Sequence, residues 1–286
     1  MSPAGEASSP QASSQGSRPK GGPDWDAATY DRVSDPQLGW ALEQLDRMDL
    51  QGDEVVLDAG CGSGRVTALL ADRVPRGGVY AVDAAPSMAE HARSALRERA
   101  TVLCQDLVEL DLPEPVDAVF SNATFHWIPD HERLFAVLHG ALRPGGRLVA
   151  QCGGIGNIDA FRTTADSVAA EEPFDHYFVG WRKPWNYAGP EETVARLEHA
   201  GFREVKCWLE PKRVELADPR PFIQTVCLVR HLDPLPEGLR GPFLDRVLAR
   251  TGTPLILHYV RLNMTATRGV GPDAQTADID TRLKLE

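Results

Sequence analysis

The stretch VVLDAGCGSGRVTALL, Val55 to Leu70, passes from an apolar run through a glycine-rich turn into a helical pattern. A strand entering Gly60, Cys61, Gly62, Ser63 and Gly64 and leaving as a helix lets bare backbone approach a ligand, with the free amides of a helix start aimed at it. A phosphate-cradling loop would close on Gly-Lys-Ser or Gly-Lys-Thr, and Arg65, Val66 and Thr67 stand there instead. A dinucleotide fold wants G-x-G-x-x-G and an acid about 20 residues on. Asp83 supplies the acid, but the glycines are spaced G-x-G-x-G and follow Asp58.

Around that loop the chain alternates. EVVLDAG, GGVYAVDA, ATVLCQD, VDAVFSNA and RLVAQCGG read as five short apolar strands, with RVTALLADRV, PSMAEHARSAL and DHERLFAVLHGAL as helices among them. The helix GPEETVARLEHAGF, the strand REVKCWLEP, the helices PRPFIQTVCLVRHL and GPFLDRVLART, and the strand LILHYVRLNMTATR follow. This order predicts an α/β fold: a Rossmann-like, mostly parallel sheet of seven strands covered on both faces. Residues 155–189 show no clean period but are dense in aromatics, and read as an inserted aromatic-rich lid. A helix over PQLGWALEQLDRM precedes the sheet. Residues 1–23 read as a disordered tail, 24–268 as a single domain, and 269–286 as a polar C-terminal tail.

Composition narrows the function classes. The formal net charge is -11, with no cluster of Lys and Arg, which argues against a nucleic-acid partner. No apolar run reaches the ~18 residues that span a bilayer, so no membrane partner is expected. The five cysteines have no metal-ligand spacing and read as reduced core thiols of a cytoplasmic protein, monomer or homodimer, with no metal site.

Five segments in order, VLDAGCGSG, VYAVDAAPSM, LCQDLVEL, VDAVFSNATFHWIPD and LRPGGRLVA, resemble the successive motifs of class I S-adenosylmethionine-dependent methyltransferases of the type 11/25 kind. The resemblance is strong over Glu54 to Ala150 and looser from Gly39 to Arg268. It implies S-adenosyl-L-methionine as cofactor. Asp58 would face its cationic amino acid end, and Gly60, Cys61, Gly62 and Gly64 would admit its sugar and methionine part. Asp83 would accept from the ribose hydroxyls. Ala84 and Met88 would touch the adenine, Gln105, Asp106 and Leu107 would border it, and Ser121 and Asn122 would flank the methyl's route. All follow the carboxyl ends of strands, where open sheets bind ligands.

The run SNATFHWIPDHERLF looks like the trans-aconitate methyltransferase-like branch, which methylates carboxylates of small acids. A carboxylate oxygen needs no base, whereas a hydroxyl benefits from one. His126 is the candidate base, with a structural role as its alternative, and Tyr30 either lines the site or packs. Trp127, Trp181, Trp185 and Tyr187 either wall the substrate or fasten the lid. Arg182 and Lys183 either meet an acid or stay solvated, and the direction of Arg261 is open. The aromatic density itself suggests an acceptor with apolar area, such as a secondary metabolite. The function expected is O-methylation of a carboxylate or hydroxyl of a small molecule. C- or N-methylation, a macromolecular substrate and a silent cofactor-binding protein are the alternatives.

Overall fold

The structure, a computed structural model, describes residues 27–270; the expectations for the tail 1–23 and for 271–286 lie outside the described residues. The chain runs α1 (Ala27–Val33), α2 (Asp35–Arg47), β1 (Val55–Ala59), α3 (Arg65–Arg73), β2 (Gly78–Asp83), α4 (Pro86–Leu96), β3 (Thr101–Cys104) and β4 (Val116–Asn122). It continues through α5 (His131–Ala141), β5 (Leu142–Gly153), α6 (Asp159–Ala169), α7 (Pro190–His199), β6 (Phe202–Leu216), α8 (Pro219–Phe222), α9 (Val229–Leu232), α10 (Glu237–Leu248) and β7 (Leu255–Arg268).

The seven strands form one sheet in the order β3-β2-β1-β4-β5-β7-β6. Strands β1 to β5 are parallel, and β7 enters antiparallel between β5 and β6. The inner strands are apolar throughout because both faces are covered. On β1, Val56 points into the layer of Ala41, Leu45, Met48 and Leu70, while Leu57 and Ala59 point into the layer of Leu134, Phe135 and Leu138. That alternation fixes the register, since a slip of one residue would exchange the two faces.

A third layer of core lies over the hairpin of β6 and β7, where α6, α10 and residues 222–235 meet Leu255, Leu257 and Tyr259. Four expectations change here. Residues 155–189 contain a helix, α6, with Phe161, Ala165, Val168 and Ala169 buried along one side, so the segment carries a helical period where none was expected. Strand β6 continues past Pro211 to Leu216, paired along its length with β7. The helix expected over PRPFIQTVCLVRHL is broken into α8, a wide π turn at Ile223–Cys227, and α9. The strand expected over RLVAQCGG begins earlier, at Leu142, taking in Arg143 to Gly146 at a register shift opposite Val116 and Ala118.

Candidate active site

The loop after β1 folds back over the end of β2, with the amides of Gly60 and Cys61 donating to the Val82 carbonyl at 2.8 and 2.9 Å. Its three glycines do different things. Gly60 (φ +91°) is sealed, because any β-carbon there would overlap the side chain of Thr124. Gly64 lies against Leu96 and Ala92 at the start of α3. Gly62 alone has open space where a β-carbon would stand.

That open side faces a cavity of about 500 Å³ above the carboxyl ends of the parallel strands. Asp83 ends β2 on its wall. One carboxylate oxygen accepts from the Gly62 amide and the other from the Ala85 amide, both at 2.9 Å. The carboxylate therefore stays fixed with lone pairs to spare. Burial raises its pKa, and the two amides pull the other way. Ala84 and Met88 follow on the same wall; Asp106 and Leu107 stand opposite, with Asp106 capping a short turn by accepting from Val108 at 3.1 Å. Asn122 closes the β4 side, its Nδ2 donating to the Gln37 carbonyl at 3.1 Å.

Asp58 and Cys61 sit behind the loop around a smaller space of about 60 Å³ that also touches Tyr30 and Asn122. Asp58 accepts from the Thr67 hydroxyl at 2.7 Å, and burial pushes its carboxyl up to about 7. Three further expected cofactor residues line neither space. Ser121 donates to the Ala59 carbonyl at 2.6 Å and ties β4 to β1. Gln105 turns away to bond the backbone of Asp111 at both ends of its amide. Gly64 is spent on helix packing.

A third, inner cavity of about 40 Å³ adjoins the large one across Tyr30, Ala123 and Trp127. Its floor is Arg261. On β7 the odd-numbered residues share a face, so Arg261 continues the row of Leu257 and Tyr259 and is only 2% exposed. Its guanidinium lies 4.6 Å from the centroid of the Trp40 ring, and Nε donates to Gln151 at 3.1 Å. Nη2 is buried with no partner, and among the described residues no carboxylate lies within ion-pair distance. Arg162 of α6 enters from the other side, 5.2 Å from the Trp185 ring and 4.9 Å from Tyr187, its Nε likewise buried and unpartnered. The π turn brings Val226 and Cys227 to the same wall.

His126 lines this inner cavity, stacked on Tyr187 at 5.5 Å and against Trp127 at 5.1 Å. Its Nδ1 faces the Gly153 amide at 3.3 Å, so that nitrogen accepts and a neutral ring carries its proton on Nε2. Burial, with Arg261 nearby, holds the imidazole well below its ordinary pKa. Tyr30 touches all three cavities, and burial pushes its phenol up to about 12. Trp185 and Tyr187 line the inner cavity with nearly parallel rings whose centroids lie 6.3 Å apart, and Trp127 lines both it and the large one. Trp181 lines neither; it packs on Phe178, Trp185 and His231. Lys183 pairs with Asp166 at 2.5 Å, outside the cavity.

Arg162 and Arg261 were not among the expected site residues. The signal for Arg261 was the alternation LILHYVRLNMT, which puts a cation in line with apolar residues on an interior strand.

Among the described residues, no group of three His, Cys, Asp or Glu is placed to hold a metal, and no helix is long and apolar enough to cross a membrane. A family model described as a methyltransferase domain matches residues 57–150. The chain is 32% identical over 240 residues to the trans-aconitate 2-methyltransferase of Methylobacterium radiotolerans, covering 78% of this chain and 86% of that one. It is 35% identical over 246 residues to that of Variovorax paradoxus, covering 83% and 88%. Among solved structures it resembles phosphoethanolamine N-methyltransferase 2 of Haemonchus contortus in complex with S-adenosylhomocysteine, at a TM-score of 0.56 and 18% identity, over 86% of this chain and 57% of that one.

Proposed function

The chain belongs to the class I S-adenosylmethionine-dependent methyltransferases, in the trans-aconitate methyltransferase-like branch, and from that premise we propose that it esterifies one carboxylate of a small acid that carries at least two. The cofactor is S-adenosylmethionine, and the residues of the large cavity fit it. Gly62 leaves room for a ligand against its backbone, Asp83 offers a fixed carboxylate to a pair of hydroxyls, and Met88 and Leu107 offer apolar walls. When bound, the cofactor supplies a methyl group on a positively charged sulfur, which a carboxylate oxygen displaces with no proton to remove.

The observation that carries the acceptor is the pair Arg162 and Arg261. Two guanidinium groups line one small space, and neither is neutralised by a well-formed ion pair. Arg162 has only a distant Asp159 oxygen at 3.9 Å. Burying such charges is costly unless an anion joins them. A carboxylate held between them has its lone pairs engaged and is an anchor rather than a nucleophile. The reacting carboxylate is then a second one, on the side of Ala123 and Tyr30, where the two cavities adjoin. The aromatic side chains serve this arrangement as platforms for cations, in place of the apolar substrate wall that their density suggested. His126 acts as a neutral donor from Nε2, and a carboxylate acceptor leaves it no proton to remove.

Incubating the protein with methyl-labelled cofactor and trans-aconitate, fumarate, crotonate, a phenol and an amine, with products read by mass spectrometry, tests the reading. Monomethyl esters of the two polycarboxylates, with little or no ester of crotonate, are the expected result. Turnover of the phenol or the amine alone would overturn it.

A further inference from the structure

Arg162 and Asp166 lie one turn apart on α6, the spacing at which an arginine and a carboxylate ordinarily pair along a helix. They do not pair here. One oxygen of Asp166 meets Lys183 at 2.5 Å and the other meets His231 at 3.2 Å. Lys183 comes from a strap with little backbone anchorage: Trp181 bonds back to Phe178 and Asn186 bonds to His126, and between them residues 182–185 make no backbone–backbone hydrogen bond among the described residues. The same strap carries Trp185, one of the two rings under the Arg162 guanidinium. His231 is fully buried, packed 4.9 Å from Trp181 and 5.5 Å from Trp185, and among the described residues only Asp166 bonds its ring.

We infer that Lys183 is a positioning residue for the acid site: by occupying Asp166 it keeps that carboxylate from capturing Arg162, so that the guanidinium stays on Trp185 and Tyr187 and available to the substrate's anchoring carboxylate. The physical basis is competition. Asp166 is 27% exposed and one helical turn from Arg162, so loss of its cation leaves a half-buried carboxylate within pairing spacing of that guanidinium. Captured, Arg162 would face along its own helix and away from the inner cavity. A staple that merely held the strap down would need both charges. The competition needs only that Asp166 be either occupied or uncharged.

The inference rests on the carboxylate reading for its kinetic consequence, but not for the side-chain movement. The test compares Lys183→Ala with Lys183→Ala combined with Asp166→Asn, using trans-aconitate as the acid. In the single variant the KM for the acid is expected to rise about tenfold or more, the loss of one charge-assisted contact, with the KM for the cofactor within about twofold. The double variant, having no carboxylate to capture Arg162, is expected to recover most of that loss. A double variant as impaired as the single one, or a single variant with unchanged acid KM, overturns the inference. Without any acid, the Arg162 Nε–H resonance, assigned by its loss in Arg162→Lys, is expected to move in the single variant and return in the double. If that resonance stays in place in Lys183→Ala, the capture does not occur, whatever the substrate is. If it moves and returns while no acid is turned over by the unsubstituted protein, the capture stands and the carboxylate reading fails.

Discussion

Arg261 stacks its guanidinium 4.6 Å from the centre of the Trp40 ring, yet leaves Nη2 buried and unpartnered. A cation held so firmly and satisfied so incompletely is a site waiting for an anion. Arg261→Met keeps the volume and removes the charge. The KM for the acid is expected to rise about a hundredfold, because one partner of a buried charge pair is lost. Thermal stability of the unliganded protein is expected to stay level or increase by about 1 kcal/mol, since an uncompensated buried charge is removed. Steady-state kinetics and a thermal melt check both. An acid KM within threefold of the unsubstituted protein would rule out the anchor.

Gly60 and Gly62 separate folding from binding within one loop. Both have positive φ, +91° and +54°, but Gly60 abuts Thr124 while Gly62 opens on the cavity. Gly60→Ala adds a steric overlap to backbone strain and is expected to cost about 3 kcal/mol in unfolding free energy. Gly62→Ala carries the strain alone, about 1 kcal/mol. It places a methyl where the cofactor's backbone contact belongs, so calorimetric titration is expected to show about tenfold weaker cofactor binding or worse. Equal loss of stability in the two variants would contradict this division.

His126 offers a neutral donor from Nε2, since its Nδ1 faces the Gly153 amide and burial keeps the ring uncharged. A glutamine at 126 keeps a donor near the Nε2 position. His126→Gln is expected to lower kcat less than about tenfold, against the hundredfold or more that removal of a general base costs. At saturating cofactor and acid, kcat is expected to be flat between about pH 6 and 8. A rising limb in that range that disappears in the variant would restore the base.

How much of this was legible beforehand follows from the physics of each element. The seven strands and the loop between β1 and α3 carry strong local signals, an apolar run and glycines at fixed spacing, and all of them are present, though β5 and β6 run longer than the pattern put them. Asp83 and Asp106 were legible because strand ends define the ligand side of such a sheet. Ser121 and Gln105 were not, because neighbours along a strand end face opposite ways and the motif does not say which bond each side chain makes. Ser121 goes to Ala59 and Gln105 to Asp111. The inner cavity was least legible. Its two cations come from β7 and from α6, some hundred residues apart, and α6 lies inside the segment read as irregular. Only the folded hairpin of β6 and β7 brings Arg261 up to Trp40.

Asp58 links cofactor binding to a proton. Burial, helped by Asp83 and opposed by the Thr67 hydroxyl, pushes its carboxyl from the ordinary 3.8 up to about 7. A carboxyl raised in the folded state favours folding most when it is protonated. That contribution is full below about pH 4 and is lost as the pH rises through about 7. The motif resemblance implies that the cofactor's cationic amino acid end would face Asp58, and a cation there would favour the ionised form. Binding at about pH 6 is therefore expected to expel close to one proton, and at about pH 8 almost none. Titrations in two buffers of different ionisation enthalpy measure the number directly. Asp58→Asn is expected to abolish the release at both pH values and to stabilise the unliganded protein at pH 8 relative to the unsubstituted chain. Release that persists in Asp58→Asn would assign the proton to another group, and no release at pH 6 in the unsubstituted protein would mean that the cofactor's charge does not reach Asp58.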